Sequence, residues 1–256
     1  MTLQLVSNEL QLTSTSEPRG KFREFYGCPL EKMPELNQGG YKPLSLSGMI
    51  KRRLHAPRDV LEAWRENYVF TSDAAVYDGK GNAKIALDSI LLRSINTQSE
   101  VSEHPPEGGL LLSSDQWEGL DGDNVLPLSS TEIERANDGG FVYKRGSWRP
   151  VNSTVRKIWH FLGRGMDLKE YAELVHTATG RAEVMNVVFY RNIDSSPLLR
   201  PWLLGRVRDN SLAVGLGNLA YNRGRLVGRR PEKRVSLVQK VPSYAEKESV
   251  YRMLLQ

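Results

Sequence analysis

An α+β fold with mostly antiparallel sheets, a helical hairpin in a second lobe and a C-terminal helix is predicted on three observations. Two alternating runs within residues 67–88 flank Asp78-Gly79-Lys80-Gly81 and read as a β-hairpin. Two helical periods follow one another between Asn152 and Gly180 with no strand signal between them. After Val184 the chain breaks into short apolar runs separated by Gly, Asn and Asp, the pattern of an antiparallel meander. A chain of 256 residues can bury a sizeable core, and with 39% hydrophobic and 25% charged residues it belongs with globular rather than disordered sequences.

Met1 to Leu12 has no basic n-region, and the densest apolar runs, Val184 to Tyr190 and Leu198 to Leu204, are too short to span a bilayer. A cytoplasmic protein with no membrane partner is expected. Leu3-Gln4-Leu5-Val6 and Leu10-Gln11-Leu12 read as short strands, and the Pro and Gly residues between Pro18 and Pro43 mark residues 1–50 as an extended N-terminal arm. Residues 51–96 form a first lobe, beginning with a helix entered at Pro57 whose core stripe is Leu61, Trp64 and Tyr68.

In the hairpin that follows, pairing of Tyr77 with Asn82 places Phe70, Ala74, Val76, Ala83, Ile85 and Leu87 on a core face. Thr71, Asp73, Ala75, Tyr77, Asn82, Lys84 and Asp88 then face outward. Ser72-Asp73 followed by Asn82-Ala83-Lys84 resembles the acid and acid-x-Lys pair of one large nuclease superfamily. The resemblance implies two acids holding a divalent cation and a lysine steadying the attacking water. Asn82 stands where that family has an acid, and Asp88 is the substitute on the same face. A solvated hairpin face is the plainer reading.

Residues 97–139 carry ten acids and a single base, Arg135, and are interrupted by Pro and Gly, so they read as a surface insertion or linker. Ser129 and Glu132 form a capping box there. Asp121-Gly122-Asp123-Asn124 lacks the spaced ligands of a calcium loop and is read as a solvated turn. One cysteine, Cys28, and four scattered histidines make neither a disulfide nor a zinc site. Glu173 and His176 share a helix face without the further glutamates a carboxylate metal site needs. No metal and no cofactor are expected.

Residues 140–256 form the basic lobe. Phe141 to Lys144 and Ser147 to Arg149 flank Arg145-Gly146 as a tight hairpin. The first helix is capped near Asn152 or Ser153 and presents Val155, Ile158, Trp159 and Leu162; the second is capped by Asp167 and presents Leu168, Tyr171, Ala172 and Val175. Because that second helix starts with acids, it is a packing helix rather than a DNA-reading one. Val184 to Arg191 reads as a central strand, Pro201 to Arg208, Ser211 to Gly215 and Arg225 to Val227 as shorter strands, and Val235 to Val241 as a last strand before a helix capped by Ser243 and Glu246.

From Arg191 to Arg234 there are ten basic and three acidic residues, with Arg strongly preferred over Lys. Arginine forks suit bidentate contact with phosphate or carboxylate. Arg206, Arg208, Arg223, Arg225, Arg229, Arg230, Lys233 and Arg234 are therefore the candidate anion-binding residues, with Tyr190, Trp202 and Tyr221 interleaved, although Trp202 fits a core position better.

These features predict a non-enzymatic nucleic-acid-binding protein. The alternatives are a homo-oligomeric structural protein joined through the acidic 97–139 and basic 191–234 segments, and a metal-dependent nuclease using the 72–88 hairpin. A smaller share goes to a ligand-binding surface built on the loops of the final meander. The Trp202-bearing strand, its polar turns and the returning strand have a loose likeness to the end of C-type-lectin-like domains, without a diagnostic motif or disulfide.

Overall fold

The computed structural model describes residues 10–95, 108–190 and 197–231. Its first half contains β1 (Phe22–Tyr26), α1 (Pro29–Gln38), β2 (Lys42–Pro43), α2 (Leu46–His55), α3 (Arg58–Arg65), β3 (Val69–Tyr77), β4 (Ala83–Ala86) and α4 (Ile90–Arg93). Then come β5 (Leu110–Leu111), α5 (Ser114–Glu118), β6 (Val125–Leu128), α6 (Ser130–Ala136), β7 (Phe141–Lys144), β8 (Ser147–Pro150), α7 (Ser153–Leu162) and α8 (Lys169–Thr179). The last elements are β9 (Glu183–Val184), β10 (Val187–Val188), β11 (Leu198–Leu204), β12 (Ala213–Val214) and β13 (Arg225–Arg229). This is the α+β class expected, and no described helix is long and apolar enough to cross a membrane.

One ten-stranded sheet organises the molecule, with its main path in the order β1-β13-β3-β11-β12-β10; β2 adds to β13, β4 to β3, β5 to β11 and β6 to β4. It takes strands from each of the stretches 1–50, 51–96, 97–139 and 140–256. Residues 22–50, read as an arm, hold β1, α1, β2 and the start of α2, and β1 pairs along its whole length with β13. Three shorter strands, β8-β7-β9, form a second sheet.

Every residue of β3 is buried. One core, containing Val69, Ala75, Tyr77, Ile85 and Trp202, lies with residues of α2, α3, α7 and α8; the other contains Phe70, Ala74, Val76 and Leu199 with residues of α1 and α4. The hairpin's expected solvated face is thus a second core face.

Local chemistry explains the helix ends. Ser45 accepts the Gly48 amide to start α2, and Ala56, forced into extended backbone by Pro57, stops it. Asn152 accepts the Val155 amide at the start of α7, and Gly180, at φ 67°, ends α8 in the left-handed conformation. Ser129 and Glu132 form the expected capping box of α6. The cap of α8 is Leu168 rather than Asp167, whose carboxylate instead accepts the Lys169 amide. The Arg145-Gly146 turn joins β7 to β8 with both residues at positive φ.

Val184 to Arg191 does not make one central strand. Met185, at φ 60°, breaks the run into β9 of the small sheet and β10 at the end of the large one. Its amide is drawn to Asn210, whose backbone and side-chain oxygens it meets at 3.0 and 3.2 Å. Beyond β11, Val207 to Asp209 form a 3-10 turn rather than continuing the strand. The strand expected at 235–241 and the C-terminal helix lie outside the described residues.

A candidate binding edge of tyrosines and arginines

The eight basic residues singled out in the sequence do not form one surface. Lys233 and Arg234 lie outside the described residues, and the other six fall at opposite ends of β13. Arg229 and Arg230 stand where β13 ends beside Phe22; Arg206, Arg208, Arg223 and Arg225 stand where it begins beside Tyr26. Because the chain turns at Arg206, the shared strand face expected for Arg206 and Arg208 does not exist.

At the Tyr26 end several arginines already have carboxylate partners. Arg206 meets Asp209 at 2.6 Å, Arg208 meets Glu66 at 2.8 Å, and Arg225 pairs with the buried carboxylate of Glu24. None of these acids lies in 97–139. The guanidiniums of Arg206 and Arg225 also lie over Tyr68 and Tyr26, at 4.9 and 4.8 Å from the ring centres. At the far end Arg230 lies 5.0 Å over Tyr41.

Sheet topology collects the aromatic residues. Tyr26 closes β1 and pairs with Arg225, the first residue of β13; Phe70 at the start of β3 pairs with Leu226; Val69 pairs with Leu204, the last residue of β11. One sheet end therefore presents Tyr26, the turn before β13, Tyr68 just before β3, and the loop after β11. Four strands at a spacing of about 4.8 Å make this edge about 14 Å wide. Tyr26, Tyr68 and Tyr221 are 42%, 40% and 48% exposed, and Asn222 and Arg223 beside them are also exposed.

Hydrogen bonds hold these segments from behind. Gly205 and Leu212 pair across the first loop; Gly217 donates to Pro201, Leu219 to Gly108, Gly224 to Tyr221, and Gly27 to Gly224. Beneath them, fully buried Arg53 donates to the carbonyls of Trp64, Asn67 and Gly205 and to the hydroxyls of Tyr171 and Ser211. One guanidinium thus ties the residue before Tyr68 to the loop that carries Arg206 and Arg208.

Most of the charge at this edge is paired. The Tyr68 hydroxyl donates to Asp209, and burial together with that bond pushes its ionisation upward. Tyr68 and Arg206 in turn hold Asp209 below the usual carboxylate range. Sequence reasoning took Tyr68 for a core residue of α3 and passed over Tyr26. Yet α3 ends at Arg65, with Val60 and Trp64 its buried residues. Trp202, expected in the core, is fully buried.

The hairpin does not assemble a nuclease site. Tyr77 pairs with Ala83 rather than Asn82, and this one-residue slip puts Lys84 on the face of Val76, opposite that of Asp73. Lys84 caps the carbonyls of Trp117 and Leu120, while Asn82 binds Asp78 and the Ser130 amide. Asp73 accepts the amides of Leu46 and Asp88. Glu173 takes the Trp148 indole N–H at 2.5 Å, and His176 contacts the Arg181 carbonyl. No group of three potential metal ligands occurs among the described residues.

No family model and no curated protein matches the chain. Among solved structures, one described as "Accommodation of massive sequence variation in Nanoarchaeota by the C-type lectin fold" is similar at a TM-score of 0.59 and 17% identity, over 83% of this chain and 99% of that one. At that identity the likeness establishes the C-type lectin fold and nothing of the ligand. With this fold, dispersed arginines that pair with nearby acids, and a hairpin out of register for catalysis, the nucleic-acid-binding reading is overturned. So is its nuclease alternative.

Proposed function

We propose that this chain is a binding protein that uses its C-type lectin fold as a rigid scaffold to present the Tyr26 edge to a folded protein partner. The observation that carries this reading is the convergence of three exposed tyrosines with Arg206, Arg208, Asn222 and Arg223 at one sheet end. Tyrosine, asparagine, glycine and arginine are the residue types of antibody paratopes, because they give large contact area and adaptable hydrogen bonds at low entropic cost. Carboxylates already beside Arg206, Arg208 and Arg225 favour short-range recognition over attraction to a polyanion.

The Nanoarchaeota structure is described as accommodating massive sequence variation on the same fold. Here the exposed side chains sit on a strand end and on loops fixed by backbone hydrogen bonds, so they are replaceable without loss of the scaffold.

Affinity capture from the source organism's lysate, with wild type and Tyr26→Ala/Tyr68→Ala/Tyr221→Ala as baits, tests the proposal. A protein held by wild type should be lost by the triple variant, and each central tyrosine should account for about a thirtyfold change in Kd. A glycan array run in parallel tests sugars on the same edge. Equal capture by both folded baits, or a glycan ligand that requires these tyrosines, would reject the protein-partner reading.

A further inference from the structure

A cavity of about 400 Å³ lies at the opposite end of the sheet, where Phe22 of β1 faces Arg229 of β13. Four strand steps of about 3.4 Å separate it from the tyrosine edge, so its fate does not depend on that reading. Its floor is apolar, from Phe22, Pro43 and Leu44. Its walls are cationic: Lys42 from β2, Lys51 and Arg52 from α2, and Arg229 from β13.

The counter-charges are unequally distributed. Arg52 pairs with Glu17 at 2.8 Å and lies 4.4 Å over the Phe22 ring. Asp88, the one acid in the wall, pairs with Arg164 at 2.6 Å. Lys42 and Lys51 are exposed and have no ion-pair partner among the described residues. Arg229 also lines the wall and has contacts of its own.

Ser45 and Gly48, the cap and third residue of α2, complete the lining, and the Leu46 and Gly48 amides of that helix end already donate to Asp73 and Ser45.

We infer that this cavity is a binding site for a small organic molecule bearing phosphate or carboxylate groups, held by Lys42 and Lys51. The apolar floor takes the uncharged part of the ligand, and the cationic wall takes at least two negative charges. Lysines suit this role as point charges that follow an anion without demanding one geometry. The concave shape and modest volume select a small molecule.

Isothermal titration calorimetry with pyrophosphate and with citrate, each at constant ionic strength, tests the inference and separates the two anion classes. Saturable binding of at least one is expected, with about a tenfold or larger loss in Lys42→Gln/Lys51→Gln as two charge-assisted contacts disappear. Thermal melting of the unliganded double variant should match wild type, because both lysines are exposed. Lys144→Gln/Arg145→Gln, at the β7–β8 turn, controls for net charge and should bind like wild type. Failure of wild type to bind either probe, undiminished binding by the lysine variant, or an equal loss in the control would overturn the site.

Discussion

Arg53→Met removes the one buried cation that joins the two halves of the tyrosine edge. Arg53 is fully buried, and its described hydrogen-bond partners are neutral oxygens: three backbone carbonyls and two hydroxyls. Replacing a buried ion pair by apolar residues can be harmless when both charges leave together. Here the carbonyls of Trp64, Asn67 and Gly205 stay behind. Each stranded acceptor costs about 1–3 kcal/mol, and partial relaxation brings the total to about 4 kcal/mol. The Tyr171 and Ser211 hydroxyls remain paired at 2.5 Å and add little.

Since domains of this kind are stable by about 5–15 kcal/mol, urea unfolding should show a large fall in midpoint. Hydrogen exchange should show lost protection in 205–212 and beside Asn67. Arg53→Lys keeps the charge but not the planar fork, and should recover about half of the loss. A free energy for Arg53→Met within about 1 kcal/mol of wild type, or unchanged protection in those loops, would refute the clamp.

Two further perturbations follow from close contacts. Burial pushes the Asp73 carboxyl up to about 6, aided by the charge of Asp88, against the opposing pull of the Leu46 and Asp88 amides and Arg164. The folded state therefore holds a proton that the unfolded chain releases near 3.8, so this contribution to stability is complete below that value and lost as pH rises to about 6. Comparison of wild type with Asp73→Asn across this range should show a difference of about 3 kcal/mol, and a flat difference would deny the buried proton. Gly217→Ala places a Cβ 2.3 Å from the Pro201 carbonyl oxygen and 2.9 Å from Phe70. Its backbone must shift, so a loss of more than about 2 kcal/mol and a displaced Tyr221 turn are expected by thermal melting and tyrosine fluorescence, whereas a wild-type melting curve would place the loop elsewhere.

The legible parts of the fold were those whose instructions are local. Asn152 and Gly163 bracket α7, Ser129 and Glu132 start α6, and Gly146 supplies the left-handed backbone of the β7–β8 turn. Register was not local. Around the expected pairing, Ala74, Ala75 and Val76 are all apolar because β3 is buried on both faces, so alternation could not distinguish Tyr77–Asn82 from Tyr77–Ala83. Asp78, which accepts the Lys80 and Asn82 amides, closes the longer turn that selects the second. Tyr68 was misread for a similar reason: it continues the spacing of Leu61 and Trp64, and only the end of α3 at Arg65 turns it outward.

Basic composition was the most conspicuous feature of the sequence and the least direct guide to the site. A charge count treats arginines as available to a partner, whereas Arg206 finds its acid three residues away and Arg225 finds Glu24 at a separation of 201. The second pairing depends on β1 lying antiparallel to β13, a contact with no signature in either segment. Once those acids are in place, the guanidiniums still offer N–H groups and flat faces, but less long-range field. Arginine held between a carboxylate and a tyrosine ring is pre-ordered, so a partner meeting it loses little side-chain entropy. Arg206 and Arg225, which looked like part of a polyanion surface in sequence, are in the fold the pre-ordered part of a small polar and aromatic edge.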